Sequence, residues 1–168
     1  MTSSIALVGF MGAGKSRIGR LLGGRLGVPF IDTDKLITAR HGAIAALFAE
    51  RGEAGFREIE RGVVLDELAA AEKATRIVAL GGGAVTIVEV REALKRLPHV
   101  VWLDAPPRVL FARAQSGTRP LARDEAAFEA LYAQRRPLYG EVSTAVVRTG
   151  GRDRPAWVAD KVIAAVAA

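Results

Sequence analysis

The sequence predicts an α/β fold in which a five-stranded parallel sheet is flanked by helices in three layers. Short apolar segments of strand length alternate along the chain with longer segments whose apolar residues recur at helical spacing. The short segments are continuously apolar, which is typical of parallel strands that are buried on both faces. Strands that alternate with helices in this way predict a parallel sheet covered on both sides.

The predicted strands cover residues 4–8, 28–32, 76–80, 99–103 and 144–148. The predicted helices cover residues 15–26, 34–73 with breaks near Gly42 and Gly52, 107–115, a segment ending near Tyr139, and 157–166. A polar stretch at residues 116–124 separates two of these helices and has the composition of a loop.

Length and composition limit the class of protein. Because 168 residues are too few for two ordinary domains, we expect a single domain over residues 1–168. The chain has no cysteine, which fits a reducing compartment, and its start lacks the features of a signal peptide, so we expect a cytoplasmic protein. Charged residues interrupt every apolar stretch before the ~20 residues that a membrane helix needs, so we expect no membrane contact.

The formal net charge of +6 raises the question of nucleic-acid binding. The positive residues are mostly scattered arginines rather than clusters, and only 6% of residues are aromatic. The sequence therefore favours small anionic ligands over nucleic acid.

Residues 9–16 read GFMGAGKS and match the phosphate-binding loop (P-loop) pattern G-x-x-x-x-G-K-S/T between a predicted strand and a predicted helix. In such a loop, backbone N–H groups face the phosphates, Lys15 bridges the β- and γ-phosphates and Ser16 binds Mg²⁺. We expect ATP and ADP to bind through Gly12, Ala13, Gly14, Lys15, Ser16 and Arg17. Arg17 is unusual, since many P-loops carry a second Ser or Thr there.

Two aspartates end the predicted second strand, where the ligand crevice of a parallel sheet lies. Alternation along a strand places Asp32 and Asp34 on the same side. We expect Asp32 to hold Mg²⁺ through water and Asp34 to accept a proton from a substrate hydroxyl. The alternative is that Asp34 only caps the following helix.

Three glycines, Gly81, Gly82 and Gly83, follow the predicted third strand. Without Cβ atoms they allow backbone amides to approach a ligand at the strand's carboxyl end. The alternative is a flexible linker, which is the commoner meaning of three successive glycines.

Taken together, these segments resemble the shikimate kinase family. The matching segments are the P-loop, Asp32-x-Asp34, GExxFRxxE at 52–60, GGGAV at 81–85, RPL at 119–121 and RxPLY at 135–139. They are colinear over nearly the whole chain. The resemblance implies a P-loop kinase fold with a short lid at about 112–124 and substrate-binding helices at about 34–61. It also implies Mg²⁺-assisted transfer of the ATP γ-phosphoryl group to the 3-hydroxyl of shikimate, a step of chorismate and aromatic amino-acid biosynthesis.

The resemblance also implies roles for individual residues. Arg57 and Arg135 bind the shikimate carboxylate, since a guanidinium offers planar forked donors, and Glu60, one turn after Arg57, can fix its rotamer. The middle glycine, Gly82, with its two neighbours, contacts the substrate. Arg119 is the lid arginine, which contacts ATP and stabilises the transferring phosphoryl group.

The residues that resemble the adenine-binding part of the family's site form less specific motifs than the P-loop does. By the same resemblance Arg113 lies near adenine, although a solvated helix face is the alternative. Residues 152–155 resemble the adenine-contacting loop, with spacing one residue longer, so the choice between Arg152 and Arg154 stays open.

Two other functions are compatible with a P-loop. One is a gluconate- or nucleoside-monophosphate-type kinase, which the paired arginines and the short lid disfavour. The other is a P-loop regulatory protein without catalysis, which only Arg17 favours. No long apolar stripe is left over in the sequence, so we expect a monomer.

Overall fold

A computed structural model describes residues 3–115 and 124–167. Their strands are β1 (Ile5–Val8), β2 (Phe30–Asp32), β3 (Ile77–Ala79), β4 (His99–Asp104) and β5 (Ala145–Arg148). Within this part of the chain the strands form one sheet in the order β2-β3-β1-β4-β5, and every pairing is parallel. The five-stranded parallel sheet is therefore confirmed.

The helices are α1 (Lys15–Leu26), α2 (Thr33–His41), α3 (Ile44–Lys73), α4 (Val88–Leu94), α5 (Pro107–Gln115), α6 (Glu125–Val142) and α7 (Pro155–Ala167). A 3₁₀ turn, Ala84–Thr86, precedes α4. The bounds of α1 and α5 agree with the prediction. The 3₁₀ turn and α4 were not predicted from the sequence.

Strand β1 occupies the centre of the sheet and is buried along its whole length. In register, Ile5 lies opposite Ile77 of β3 on one side and His99 of β4 on the other. The connection after β1 leads to β2 on one side, whereas the connection after β3 crosses β1 to β4 on the other side. Ligands bind in open parallel sheets where neighbouring connections diverge in this way, at the carboxyl ends of the strands. The P-loop follows β1 directly and lies at this position.

Helix α3 is interrupted at Gly52, whose φ of 68° and ψ of −179° are not helical. The predicted break near this glycine is confirmed. A small apolar cluster, separate from the main core, packs α2 against both parts of α3 through Ile37, Leu47, Phe56 and Val63. This cluster fixes the segment that carries Arg57.

No helix within residues 3–115 and 124–167 is both long and apolar enough to cross a bilayer.

Candidate active site

The P-loop wraps tightly between β1 and α1. Gly12 has a φ of 82°, and a Cβ at this position would lie 2.5 Å from the Leu110 carbonyl oxygen. Both the backbone conformation and the space therefore require glycine. Gly14, with φ 90° and ψ 15°, is the N-cap of α1 and has no side chain to occupy the helix N-terminus. The first N–H groups of α1 are left for an anion.

Beside the loop lies a cavity of about 360 Å³. Its lining includes most of the predicted ATP and metal residues, namely Gly12, Gly14, Lys15, Ser16, Arg17, Asp32 and Arg113. It also includes Asp34 and Gly82, which were predicted to contact the substrate, together with Ala79, Leu80 and Ala114. The structure thus brings together residues from four separate segments of the chain. Ala13 belongs to the same loop, but its side chain is buried.

Two cations belong to the P-loop side of this cavity. Lys15 Nζ donates hydrogen bonds to the carbonyl oxygens of Gly9, at 2.6 Å, and Phe10, at 3.1 Å. Arg113 donates to the carbonyl oxygen of Gly150 at 2.5 Å, and so links α5 to the loop before α7. Arg113 also donates to the carbonyl oxygen of Gly12 in the P-loop at 3.5 Å, so both side chains are held at the edge of this loop.

The two aspartates differ from their predicted arrangement. Strand β2 ends at Asp32 and α2 begins at Thr33, so Asp34 lies in a helical turn and the argument from strand alternation was wrong. Asp32 is the N-cap, since its Oδ1 accepts hydrogen bonds from the backbone N–H groups of Asp34 and Lys35 at 3.1 and 3.2 Å. The cap therefore belongs to Asp32 rather than Asp34. Both aspartates nevertheless line the cavity.

The second carboxylate oxygen of Asp32 faces the P-loop. Ser16 Oγ donates a hydrogen bond of 2.5 Å to Asp32 Oδ2. The Asp32 carboxylate thus joins the N-terminus of α2 to the start of α1. Two oxygen atoms that could bind a metal ion, Ser16 Oγ and Asp32 Oδ2, lie side by side as a result.

The three glycines after β3 form an ordered turn rather than a linker. Gly81 donates its N–H to the buried Thr33 Oγ1 at 3.2 Å, and its carbonyl accepts from the Ala84 N–H at 3.1 Å. A Cβ on Gly82 would lie 3.3 Å from the Met11 backbone nitrogen, so this glycine packs against the P-loop. A Cβ on Gly83 would overlap the guanidinium of Arg57.

Arg57 forms an ion pair with Glu60, one turn later on α3, as the sequence predicted. Only 1% of Glu60 is exposed. Burial raises the pKa of the Glu60 carboxyl, and the positive charge of Arg57 opposes this shift. The Arg57 guanidinium also lies 3.6 Å from Glu53 Oε1. The surrounding carboxylates therefore fix its orientation.

Arg135 enters the same region from α6 and is 7% exposed. Its guanidinium lies 5.6 Å from the centroid of the Phe10 ring, at the P-loop. Burial lowers the pKa of Arg135, and the nearby charge of Arg57 lowers it further. Among the described residues, the buried Nε atoms of Arg57 and Arg135 have no hydrogen-bond partner. Two neighbouring guanidiniums of like charge favour an anionic ligand between them.

The comparisons with known proteins agree with this geometry. A family model for shikimate kinase matches residues 11–167. The chain belongs to the shikimate kinase family. A shikimate kinase from Symbiobacterium thermophilum is 44% identical over 168 residues, which cover 94% of this chain and 92% of that protein. The fold and family predicted from the motifs are thereby confirmed.

Solved structures support the same assignment. The shikimate kinase from Acinetobacter baumannii in complex with shikimate superposes with a TM-score of 0.88 at 35% identity, covering 97% of this chain and 92% of that one. A gluconokinase from Sinorhizobium meliloti has a TM-score of 0.62 at 19% identity, with 98% and 91% covered. The second match shows only that the two proteins share a fold.

Some predicted residues of this family member are not placed at the site. Arg119 and most of the lid at about 112–124 lie outside the described residues, so the role of Arg119 stays a prediction. Arg152 and Arg154 are both exposed and do not line the cavity described above. The choice between them as the adenine contact stays a prediction.

Sequence reasoning gave no role to Tyr139. This side chain is fully buried, and its hydroxyl donates a hydrogen bond of 2.5 Å to the Gly82 carbonyl oxygen. The signal available in the sequence was its spacing of one helical turn from Arg135.

Proposed function

We propose that this protein is a shikimate kinase that transfers the γ-phosphoryl group of ATP to the 3-hydroxyl of shikimate. One observation carries this proposal. The turn Gly81–Gly83 packs against the P-loop at Gly82, against Asp34 at Gly81 and against Arg57 at Gly83. A phosphate site, a carboxylate at the acceptor position and an anion-binding arginine thus meet at three successive residues.

The ATP phosphates bind to the P-loop and to the N-terminus of α1. The Lys15 ammonium already lies over this loop, where it satisfies the carbonyls of Gly9 and Phe10. Phosphate oxygens offer this ammonium a stronger, charge-assisted hydrogen bond. Arg17 lines the cavity as an exposed side chain, and its backbone N–H belongs to the same helical turn. Arg113 and Arg152 or Arg154 are proposed to lie on the adenine side.

The donor set at Ser16 and Asp32 fits Mg²⁺. Both residues offer hard oxygen atoms, which lie 2.5 Å apart beside the phosphate-binding loop. Mg²⁺ in phosphoryl-transfer sites takes one or two protein ligands and completes its shell with water and phosphate oxygens. When bound, Mg²⁺ offsets the negative charge of the phosphates. We propose that Ser16 binds the ion directly and that Asp32 does so through water.

Asp34 is proposed to orient the 3-hydroxyl of shikimate and to accept its proton. It lies in the first turn of α2, lines the cavity that contains Lys15, and approaches the turn at Gly81. Because transition states of phosphoryl transfer are loose, positioning by Asp34 should matter more than its basicity.

The shikimate carboxylate is proposed to bind between Arg57 and Arg135. Both guanidiniums are largely buried and close enough for their charges to interact. A carboxylate between them relieves this repulsion and accepts their forked donors. Glu60 pairs with Arg57 from the buried side, which fixes the guanidinium and offsets part of its charge. A substrate carboxylate would therefore stabilise mainly the charge of Arg135.

We further propose that the protein acts as a cytoplasmic monomer built of one domain over residues 1–168. In the described part of the chain, the exposed large apolar side chains are Phe48, Val88, Val146 and Trp157. They lie on four different elements, α3, α4, β5 and α7, so no single element carries an apolar stripe.

A coupled assay of ADP release tests the proposed function. We expect release that requires Mg²⁺ and rises with shikimate to saturation, with little release when shikimate is omitted or replaced by gluconate. Release that depends on gluconate would indicate the other class of kinase. Nucleotide binding without acceptor-dependent release would indicate a regulatory P-loop protein.

A further inference from the structure

Tyr139 connects two parts of the proposed shikimate site. It lies on α6 four residues after Arg135, so both side chains project from the same face of the helix. Its ring packs 5.8 Å from the ring of Trp102 on β4, and the residue is 0% exposed. The hydroxyl therefore has one fixed position, from which it donates to the Gly82 carbonyl oxygen at 2.5 Å.

The hydroxyl also interacts with Arg135. Burial raises the pKa of Tyr139, whereas the charge of Arg135 and a side-chain hydrogen bond from it act in the opposite direction. A phenolic oxygen can donate one hydrogen bond and accept others at the same time. The Tyr139 hydroxyl can thus accept from the Arg135 guanidinium while it donates to the Gly82 carbonyl.

The turn at Gly82, which accepts the hydrogen bond from Tyr139, also contacts two residues of the proposed shikimate site. Its neighbours Gly81 and Gly83 pack against Asp34 and Arg57, respectively. On the opposite side, Thr33 accepts a hydrogen bond from the Gly81 N–H. The turn is therefore held from α2 by a threonine and from α6 by a tyrosine, and a shift at Gly82 would move both neighbouring contacts.

We propose that Tyr139 is a positioning residue that fixes the Arg135 guanidinium and the Gly82 peptide in the orientation that shikimate requires. This inference rests on the proposed function. It predicts that the hydroxyl of Tyr139 affects the binding of shikimate rather than the binding of ATP. A tyrosine that only stabilised the core would not distinguish the two substrates.

The first test is the variant Tyr139→Phe, which removes the hydroxyl and keeps the ring. We expect the KM for shikimate to rise by about 5- to 30-fold, since a buried carbonyl and a guanidinium each lose a partner, while the KM for ATP changes less than about twofold. An unchanged KM for shikimate, or a parallel rise in both KM values, would overturn the proposal.

Tyr132→Phe is the matched control. Tyr132 lies on the same helix, is 8% exposed, and donates to Asp104 Oδ1 at 2.8 Å instead of to the glycine turn. This variant should lower the Tm through the lost buried hydrogen bond but leave the KM for shikimate within about twofold. A rise in that KM as large as for Tyr139→Phe would show that any buried hydroxyl of α6 has this effect, and it would contradict the proposal.

A second measurement does not require a variant of Tyr139. The chain contains 2 tyrosines, so protein labelled with 3-fluorotyrosine gives two ¹⁹F resonances, which Tyr132→Phe assigns. Shikimate should shift the Tyr139 resonance and leave that of Tyr132 in place. If shikimate binds, as calorimetry would show, and the Tyr139 resonance does not move, the proposal is wrong. If shikimate neither binds nor supports ADP release in the wild type, the proposed function itself fails.

Discussion

The carboxylates of Asp34 and Glu60 approach the same point, the position that a Cβ on Gly81 would occupy, from two different helices. A Cβ at position 81 would lie 2.6 Å from Asp34 Oδ1 and 2.7 Å from Glu60 Oε1. Because Gly81 has no side chain, Asp34, the proposed catalytic carboxylate, can lie close to Glu60, which pairs with Arg57.

Gly81→Ala should consequently displace Asp34 and Glu60 together. We expect kcat/KM for shikimate to fall by about 100-fold, the scale of a misplacement of about 1 Å at a reacting group. The control is Gly62→Ala on α3, where no described heavy atom outside the adjacent residues and the backbone of the same helix lies within 4 Å of the added Cβ. That variant should keep its activity and gain about 0.8–1.0 kcal/mol in the free energy of unfolding, since alanine favours the helix over glycine. Equal kinetics for the two variants would contradict the close contact.

Arg57→Ala and Arg135→Ala should each raise the KM for shikimate strongly and leave the binding of ATP nearly unchanged. Losing a charge-assisted forked contact should cost about 2–4 kcal/mol in kcat/KM. Arg61→Ala is the control, because Arg61 is an exposed arginine of α3 that pairs with Glu89. Steady-state kinetics with each substrate varied measure the effect. Weaker ATP binding with unchanged shikimate binding would show that the carboxylate site lies elsewhere.

Asp34→Asn should fold and bind ATP normally, while kcat falls by roughly 10²–10⁴, the range for a lost general base. Asp32→Asn should differ, because its charge is proposed to hold Mg²⁺. Asparagine is itself a good N-cap, so the cap of α2 survives and excess Mg²⁺ should partly restore activity. Titrations of Mg²⁺ with both variants measure this. Restoration of Asp34→Asn by Mg²⁺, or its near wild-type kcat, would exclude Asp34 as the base.

The stability of the protein should depend on pH through Glu60. Burial raises the pKa of the Glu60 carboxyl above the ordinary value of 4.5 in the folded state. At a pH where Glu60 is ionised in the unfolded chain but still protonated in the folded protein, folding therefore takes up a proton. Its contribution is fully present below pH 4.5 and is lost as the pH rises through the raised pKa. We therefore expect wild type to lose stability relative to Glu60→Gln over this rise in pH. Urea unfolding of both proteins measures the difference.

The opposite trend is equally informative. If wild type gains stability relative to Glu60→Gln as the pH rises, the attraction of Arg57 for the ionised carboxylate outweighs the cost of burying it. A difference that does not depend on pH would show that the pKa of Glu60 is the same in the folded and unfolded states.

Much of the fold was predictable because its elements carry local signals. Helix α1 begins at Lys15, within the P-loop, and ends before Gly27, whose φ of 66° terminates it, and α5 begins at Pro107. Helix α4 was missed because its 7 residues are too few for a clear helical period. Local sequence also could not separate the two aspartates, since Asp is favoured as a cap at either position.

The candidate site was predictable to the extent that its residues fall in recognisable motifs. Lys15, Asp34 and Arg57 were each predicted in this way, and their roles stay predictions. The contact between Tyr139 and Gly82 joins residues that are 57 positions apart in the sequence. Such a hydrogen bond leaves no local pattern, because it depends on how α6 packs against the sheet.

The most direct measurement is the identity of the product. The protein, incubated with ATP, Mg²⁺ and shikimate, can be followed by ³¹P NMR with correlation to the ring protons. We expect loss of the γ-phosphate signal of ATP and the appearance of a phosphomonoester coupled to the proton on C3 of shikimate. Release of inorganic phosphate alone, or an ester at a different hydroxyl, would contradict the proposed placement of the 3-hydroxyl between Asp34 and the P-loop.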